Sequence, residues 1–206
     1  MSDDSIREVC PLFQMEGGGS TPTTSLQLHV SEISLDLAIK LVGLWHSRLP
    51  HVDKSNMVRT KHLWCVGAEY GGKWYAAAIW TNPIARLLNK NNWLELRRFA
   101  ISSDAPKNTA SRMLGVMVRM IQKKFPTVEK LISYQDCAVH TGVIYAASGW
   151  HSSAYSKGGE WNRPNRQRNA AQATGDKVRW EKTLVFKREA NRRSSTGRSS
   201  HVWRVV

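Results

Sequence analysis

The stretch from Trp93 to Tyr155 constrains this chain more than any other feature, because it alternates strand, helix, strand, helix, strand. Trp93–Ile101 reads as a strand. Ser102–Asn108 follows as a loop containing Asp104 and Pro106. Thr109–Lys124 then puts Met113, Leu114, Met117, Met120 and Ile121 on one stripe at helical spacing, and Pro126 closes the helix. Val128–Tyr134 is a second strand, His140–Ser148 a short helix, and Gly149-Trp150 leads into a third strand reaching Tyr155. Elements in this order pack as an α/β fold, a mixed central sheet with helices on both faces.

The flanking segments extend that sheet. Leu26–Ile33 alternates as a strand, and Ser34 is a fair N-cap for a helix carrying Leu35, Ala38, Ile39, Val42 and Trp45. That helix ends before Pro50. His62–Tyr70 and Lys73–Trp80 form a hairpin across Gly71-Gly72, a pair that tolerates positive φ at both positions. Pro83–Leu88 reads as a helical turn, Asn89–Asn92 as a loop and Val178–Phe186 as the last strand. Residues 1–25 read as a flexible extension containing Gly17-Gly18-Gly19, residues 26–187 as the folded domain, and residues 188–206 as a basic, Ser-rich tail.

Charge points to the partner. The 206 residues carry a net charge of +14, of which residues 156–206 hold +9. A basic surface of this kind favours a polyanion, nucleic acid first. Among nine tryptophans, Trp161, Trp180 and Trp203 sit among Arg and Lys and are candidates for base stacking, whereas Trp45, Trp64, Trp74 and Trp80 lie in apolar patterns and read as core. No apolar run approaches the roughly 20 residues of a membrane span. Nothing resembles a secretory leader, so a cytoplasmic protein is expected. Cys10, Cys65 and Cys137 are too scattered for a disulfide framework or a zinc ribbon.

Several residues stand where chemistry is possible. The loop Lys107-Asn108-Thr109-Ala110-Ser111 opens the long helix, so its backbone N–H groups and the lysine suit a phosphate; it equally suits plain helix capping. Asp136 stands at the end of a strand, where α/β sheets bind ligands, and is either a proton acceptor or a turn residue. Tyr145 on the short helix is either a general acid or a core side chain. Arg97 and Arg98 are consecutive in a strand, so one faces a site and the other a helix layer or solvent, with Glu95 a partner for the buried one. Four histidines, His46, His51, His62 and His140, lack tight metal-binding spacing, so a metal site requires tertiary assembly.

Together, Glu-Leu-Arg-Arg-Phe (95–99), Pro-Lys-Asn-Thr-Ala-Ser (106–111), Ser-Tyr-x-Asp (133–136) and His-x-Gly-x-Ile-Tyr-x-Ala-x-Gly-Trp (140–150) resemble the Mom family of phage DNA-modification proteins. That family is similar in fold to the GCN5-related N-acetyltransferases. The resemblance implies a transferase that converts adenine in DNA to an N6-(methylcarbamoyl or carbamoylmethyl) adduct, protecting phage DNA from host restriction endonucleases in the cytoplasm of the infected bacterium. Its implied catalytic residues are Asp136, Tyr145, Arg98, the neighbouring Arg97 and His46. Lys107, Asn108, Thr109, Ala110 and Ser111 match the cofactor-phosphate loop. The implied partners are double-stranded DNA and a small-molecule donor, with no membrane; a homodimer is one assembly open to the chain. Acyl-CoA (acetyl-CoA) and iron are the implied cofactors. One departure stands out: the phosphate loop has no glycine, where acetyltransferases usually carry Gln/Arg-x-x-Gly-x-Gly/Ala. This counts against the alternative function, an acetyl-CoA-dependent N-acetyltransferase acting on a small amine or protein.

Overall fold

The computed structural model of the protein describes residues 21–85, 87–88, 92–159 and 175–184. A single 3-10 turn, Ser25–Gln27, precedes strand β1, His29–Glu32. The strand expected from Leu26 starts three residues late because Gln27 folds back: its Oε1 accepts from the backbone N–H groups of Thr23 and Thr24. Helix α1, Leu35–Trp45, is capped by Ser34, whose Oγ accepts from Leu37 N at 3.2 Å. A short helix α2, Lys54–Val58, was not expected; Asp53 caps it by accepting from Ser55 N and Asn56 N.

Strands β2 (Leu63–Tyr70) and β3 (Lys73–Thr81) form the expected hairpin. Gly71 and Gly72 hold φ of +58° and +80°, the left-handed pair that matches hairpin twist. Strand β4, Trp93–Ile101, and helix α3, Thr109–Lys124, fall at the expected limits. Strand β5 (Lys130–Asp136), helix α4 (Val143–Ala147), strand β6 (His151–Ser156) and strand β7 (Lys177–Thr183) complete the fold. Pro83–Leu88 forms no helix among the described residues, only a turn closed by Leu88 N on Ala85 O. Residues 1–20, most of the 89–92 loop and the 188–206 tail lie outside the described residues.

The seven strands run in the order β1-β2-β3-β4-β5-β7-β6. Every pairing is antiparallel except β4 with β5. Side-chain alternation divides the core in two. Trp80, Leu94, Leu96 and Leu131 join Met113, Leu114, Met117 and Ile121 of α3 on one face. Ala77, Ile79 and Ala100 join Ala38, Leu41 and Val42 of α1 and Met57 of α2 on the other. Helices therefore cover both faces, as the alternation implies.

Strand β4 is irregular along both of its edges. Opposite β3 the register runs Ile79 to Arg98 and then Trp80 to Leu96, so Arg97 is the extra residue of a β-bulge. On its other side β4 pairs with β5 only from Trp93–Lys130 to Leu96–Ser133. Beyond those pairs the two parallel strands part, leaving a fork between Arg97–Ile101 and Tyr134–Asp136.

Candidate active site

The fork opens into a cavity of about 460 Å³. Its walls come from the C-terminal end of α1 (Trp45, His46, Ser47), the end of β4 (Phe99, Ala100, Ile101), the start of α3 (Asn108 to Ser111), the turn after β5 (His140) and α4 (Val143, Ile144, Tyr145, Ala147). The chain thus gathers separate segments at the carboxyl ends of the two parallel strands.

At one end lies the N-terminus of α3. Asn108 holds φ +65°, the only left-handed non-glycine among the described residues. Asparagine tolerates that conformation where most residues do not. The turn leaves the N–H groups of Ala110 and Ser111 without a hydrogen bond from the described residues, while Thr109 N bonds Pro106 O and Arg112 N bonds Asn108 O. Asn108 makes no side-chain cap; Thr109 Oγ1 donates to Pro106 O at 2.7 Å instead. Asn108 thus takes a backbone conformation usually left to glycine. Lys107 precedes this turn but does not line the cavity.

At the floor is Tyr145. It is nearly buried, shares a 2.8 Å hydrogen bond with Ser133 Oγ and stacks on Trp180 at 5.4 Å between ring centroids. Burial pushes its phenol pKa up, against the pull of Ser133. A phenol held this way stays protonated at neutral pH and remains a proton donor. Trp180 is no exposed stacking platform, contrary to expectation. Its indole N–H donates to Gln135 Oε1 at 2.7 Å, and Gln135 Nε2 donates to His140 O at 2.5 Å. Trp161 and Trp203 lie outside the described residues.

His46 and His140 also line the cavity, with Arg98 near His46 and Asp136 O accepting from His140 N. His46 caps the C-terminus of α1, with its backbone N–H on Val42 O. Burial, then Arg98, then His140 hold its imidazole pKa below the ordinary range. Alternation predicts Arg97 and Arg98 on opposite faces, but the bulge cancels it. Arg97 reaches Glu95 at 3.6 Å, on the face opposite Leu94 and Leu96, and Arg98 pairs with Ile79, a residue of that same α1-side core. Arg98 Nη1 donates to Arg97 O, while its Nε is buried with no partner among the described residues. Burial, followed by Arg97, lowers the Arg98 pKa, and Glu95 opposes both. Asp136 Oδ2 accepts from Arg48 Nε at 3.3 Å and Oδ1 from Ala138 N at 3.0 Å. Arg97, Arg98 and Asp136 stand behind the lining rather than in it.

The sequence marks His140 only as one of four scattered histidines and the start of the His-x-Gly motif, and it does not mark Arg48. The His-x-Gly motif held the signal for His140, because Gly142 has φ +78° and a Cβ there would meet Gln135 Oε1 and Trp180 Cζ2 at 2.5 Å. The turn is thus fitted against Gln135 and Trp180. Arg48 had no local signal; its partner is 88 residues away.

The described residues give no support for an iron site. Among the described residues no three His, Cys, Asp or Glu converge as a metal site. Cys65 is buried, its thiol pushed up to about 12 by burial and then by Glu32.

The strand order, the fork and the helix N-terminus at its mouth define the acetyltransferase fold of the GCN5-related class. Solved structures agree. The N-acetyltransferase from Staphylococcus aureus Mu50 superposes with a TM-score of 0.56 at 12% identity, over 77% of this chain and 99% of that one. The Bacillus subtilis acetyltransferase in complex with CoA superposes with a TM-score of 0.54 at 12% identity, again over 77% and 99%. Within that fold the chain belongs to the Mom protein family, whose sequence model matches residues 27–204. A curated relative, the methylcarbamoylase mom of Escherichia phage Mu, is 33% identical over 81 residues, 35% of this chain and 33% of that protein. The similarity thus spans about a third of that relative's length.

Proposed function

We propose that the protein is a phage DNA-modification transferase that places a methylcarbamoyl or carbamoylmethyl group on N6 of adenine in double-stranded DNA. The adduct would protect phage DNA from restriction endonucleases in the cytoplasm of the infected host. The observation that carries this reading is the fork between β4 and β5, with a helix N-terminus and two histidines lining the cavity beside it. Membership of the Mom family supports DNA as the substrate class.

An acyl-CoA suits the α3 end: Ala110 N and Ser111 N would hold its diphosphate, with Lys107 adding charge. When bound, such a thioester would supply an activated acyl group; the adduct is not an acetyl group, so acyl transfer alone does not make it. Tyr145 is the proton donor for a leaving group at the floor, positioned by Ser133 and Trp180. Asp136 acts through Arg48, tying the segment after α1 to the end of β5 and so fixing His46. Arg98 supplies fixed positive charge beside His46. Adenine N6 is conjugated with its ring and buried in the duplex, so the base must be extruded to reach these groups.

A second reading is an acetyl-CoA-dependent N-acetyltransferase for a small amine or protein. The left-handed turn at Asn108 favours it, because the phosphate loop keeps its shape without glycine. Plasmid DNA from cells producing the protein separates the two. Resistance of that DNA to restriction enzymes with adenine in their sites supports DNA modification. Full digestion, with acetylation of an added amine or peptide, supports the second reading.

A further inference from the structure

We propose that His46 and His140 together read the amidine edge of the target base: His46, held as the Nε2–H tautomer, donates to the ring nitrogen, and His140 accepts from the adjacent exocyclic amine. The inference rests on, and deepens, the reading of the cavity as a base-modifying site.

The tautomer follows from hydrogen bonding. Nδ1 of His46 accepts from Leu49 N at 3.2 Å and from Arg48 N at 3.4 Å. A ring nitrogen that accepts carries no proton, so the neutral ring is protonated at Nε2. The charged ring would set an Nδ1–H against two backbone N–H groups. Burial and the nearby Arg98 disfavour that form as well. His46 is therefore a donor at the cavity wall. In that tautomer Nε2 is the ring's donor.

His140 is the complement. Its backbone N–H goes to Asp136 O and its carbonyl takes Gln135 Nε2, so its main chain is pinned on both sides. No hydrogen bond from the described residues reaches its imidazole, and His140 lines the same cavity as His46. A donor beside an acceptor matches N1 and N6 of adenine, and N3 and N4 of cytosine. Guanine and thymine present the reverse order on that edge. An extruded base shows this Watson–Crick edge to its pocket.

The test uses the full-length protein and free nucleosides, followed by 15N NMR of the histidine rings. The expected result is Nε2 protonated and Nδ1 unprotonated for His46. Deoxyadenosine, 7-deazadeoxyadenosine and deoxycytidine should shift the His46 and His140 ring signals; deoxyguanosine and 1-deazadeoxyadenosine should not. His46→Gln keeps a donor and His46→Glu offers only an acceptor at neutral pH, so deoxyadenosine affinity should fall about tenfold further in Glu than in Gln. A His46 ring protonated at Nδ1, equal binding of 1-deazadeoxyadenosine, no response to any nucleoside, or a Glu variant as good as Gln would each overturn the proposal. Unmodified cellular DNA alongside the expected nucleoside pattern would instead sink the DNA-modification reading and leave the pair standing as a base reader.

Discussion

Replacing Gly142 with alanine tests how closely the turn carrying His140 is fitted to its neighbours. At φ +78° an alanine pays about 1–2 kcal/mol for the left-handed backbone. Its Cβ would also sit 2.5 Å from both Gln135 Oε1 and Trp180 Cζ2. Relief requires breaking the Trp180–Gln135 or the Gln135–His140 hydrogen bond inside the protein, which costs about 1–3 kcal/mol when the freed group stays buried. The expected loss is therefore about 2–5 kcal/mol in all. Gly72→Ala is the matched control: its φ is +80°, but nothing lies within 4 Å of the new Cβ. It should lose only the backbone share, about 1–2 kcal/mol. Urea unfolding of the two variants isolates the difference, and thermal scans should separate them by about 2–4 °C per kcal/mol for a domain this size. Gly142→Ala should also lose adenine modification, because Gln135 sets the His140 carbonyl; Gly72→Ala should keep it. Equal destabilisation of the two variants would refute the fit of that turn against Gln135 and Trp180.

The same geometry sets four further outcomes. Tyr145→Phe should abolish the adduct and lower stability by about 1–3 kcal/mol, since Ser133 Oγ is left buried without its partner; activity and urea unfolding report the two separately. Asp136→Ala should likewise abolish the adduct with folding retained, and His46 ring signals in NMR should broaden or shift as Arg48 is released. The folded state holds His46 below its unfolded pKa, so its contribution to stability is present above about pH 6.5 and lost as pH falls below that value. Wild-type protein should therefore lose stability on acidification faster than His46→Gln, and parallel curves would contradict the burial of a neutral ring. Deleting residues 188–206 removes five arginines, and each lost phosphate contact should flatten the log–log salt slope of duplex binding by about 0.9.

The elements that position the site were legible wherever one local signal dominated. Trp93–Ile101 and Thr109–Lys124 have the limits their patterns imply, because the stripe on α3 and the breaks at Pro106 and Pro126 act on neighbouring residues. The α2 helix escaped because five residues carry too little periodicity; only Asp53 as a cap announced it. The bulge at Arg97 depends on register against β3, which no single strand contains, and it moved Arg98 to the α1 side. Asn108 is the N-cap of α3, as the loop's composition allows, but it caps through its left-handed backbone and carbonyl rather than its side chain. His46 was legible as a candidate, but its tautomer depends on two backbone N–H groups of the following turn. Trp180 was misplaced because flanking Arg and Lys suggest exposure, while strand alternation turns it inward onto Tyr145.

DNA modification by this fold is tested most directly by nucleoside mass spectrometry of DNA from cells producing the wild-type protein and Tyr145→Phe. A deoxyadenosine adduct of methylcarbamoyl or carbamoylmethyl mass is expected in the wild-type sample and none in the variant. Only unmodified deoxyadenosine in both samples, from protein shown to be folded, would contradict the proposed activity.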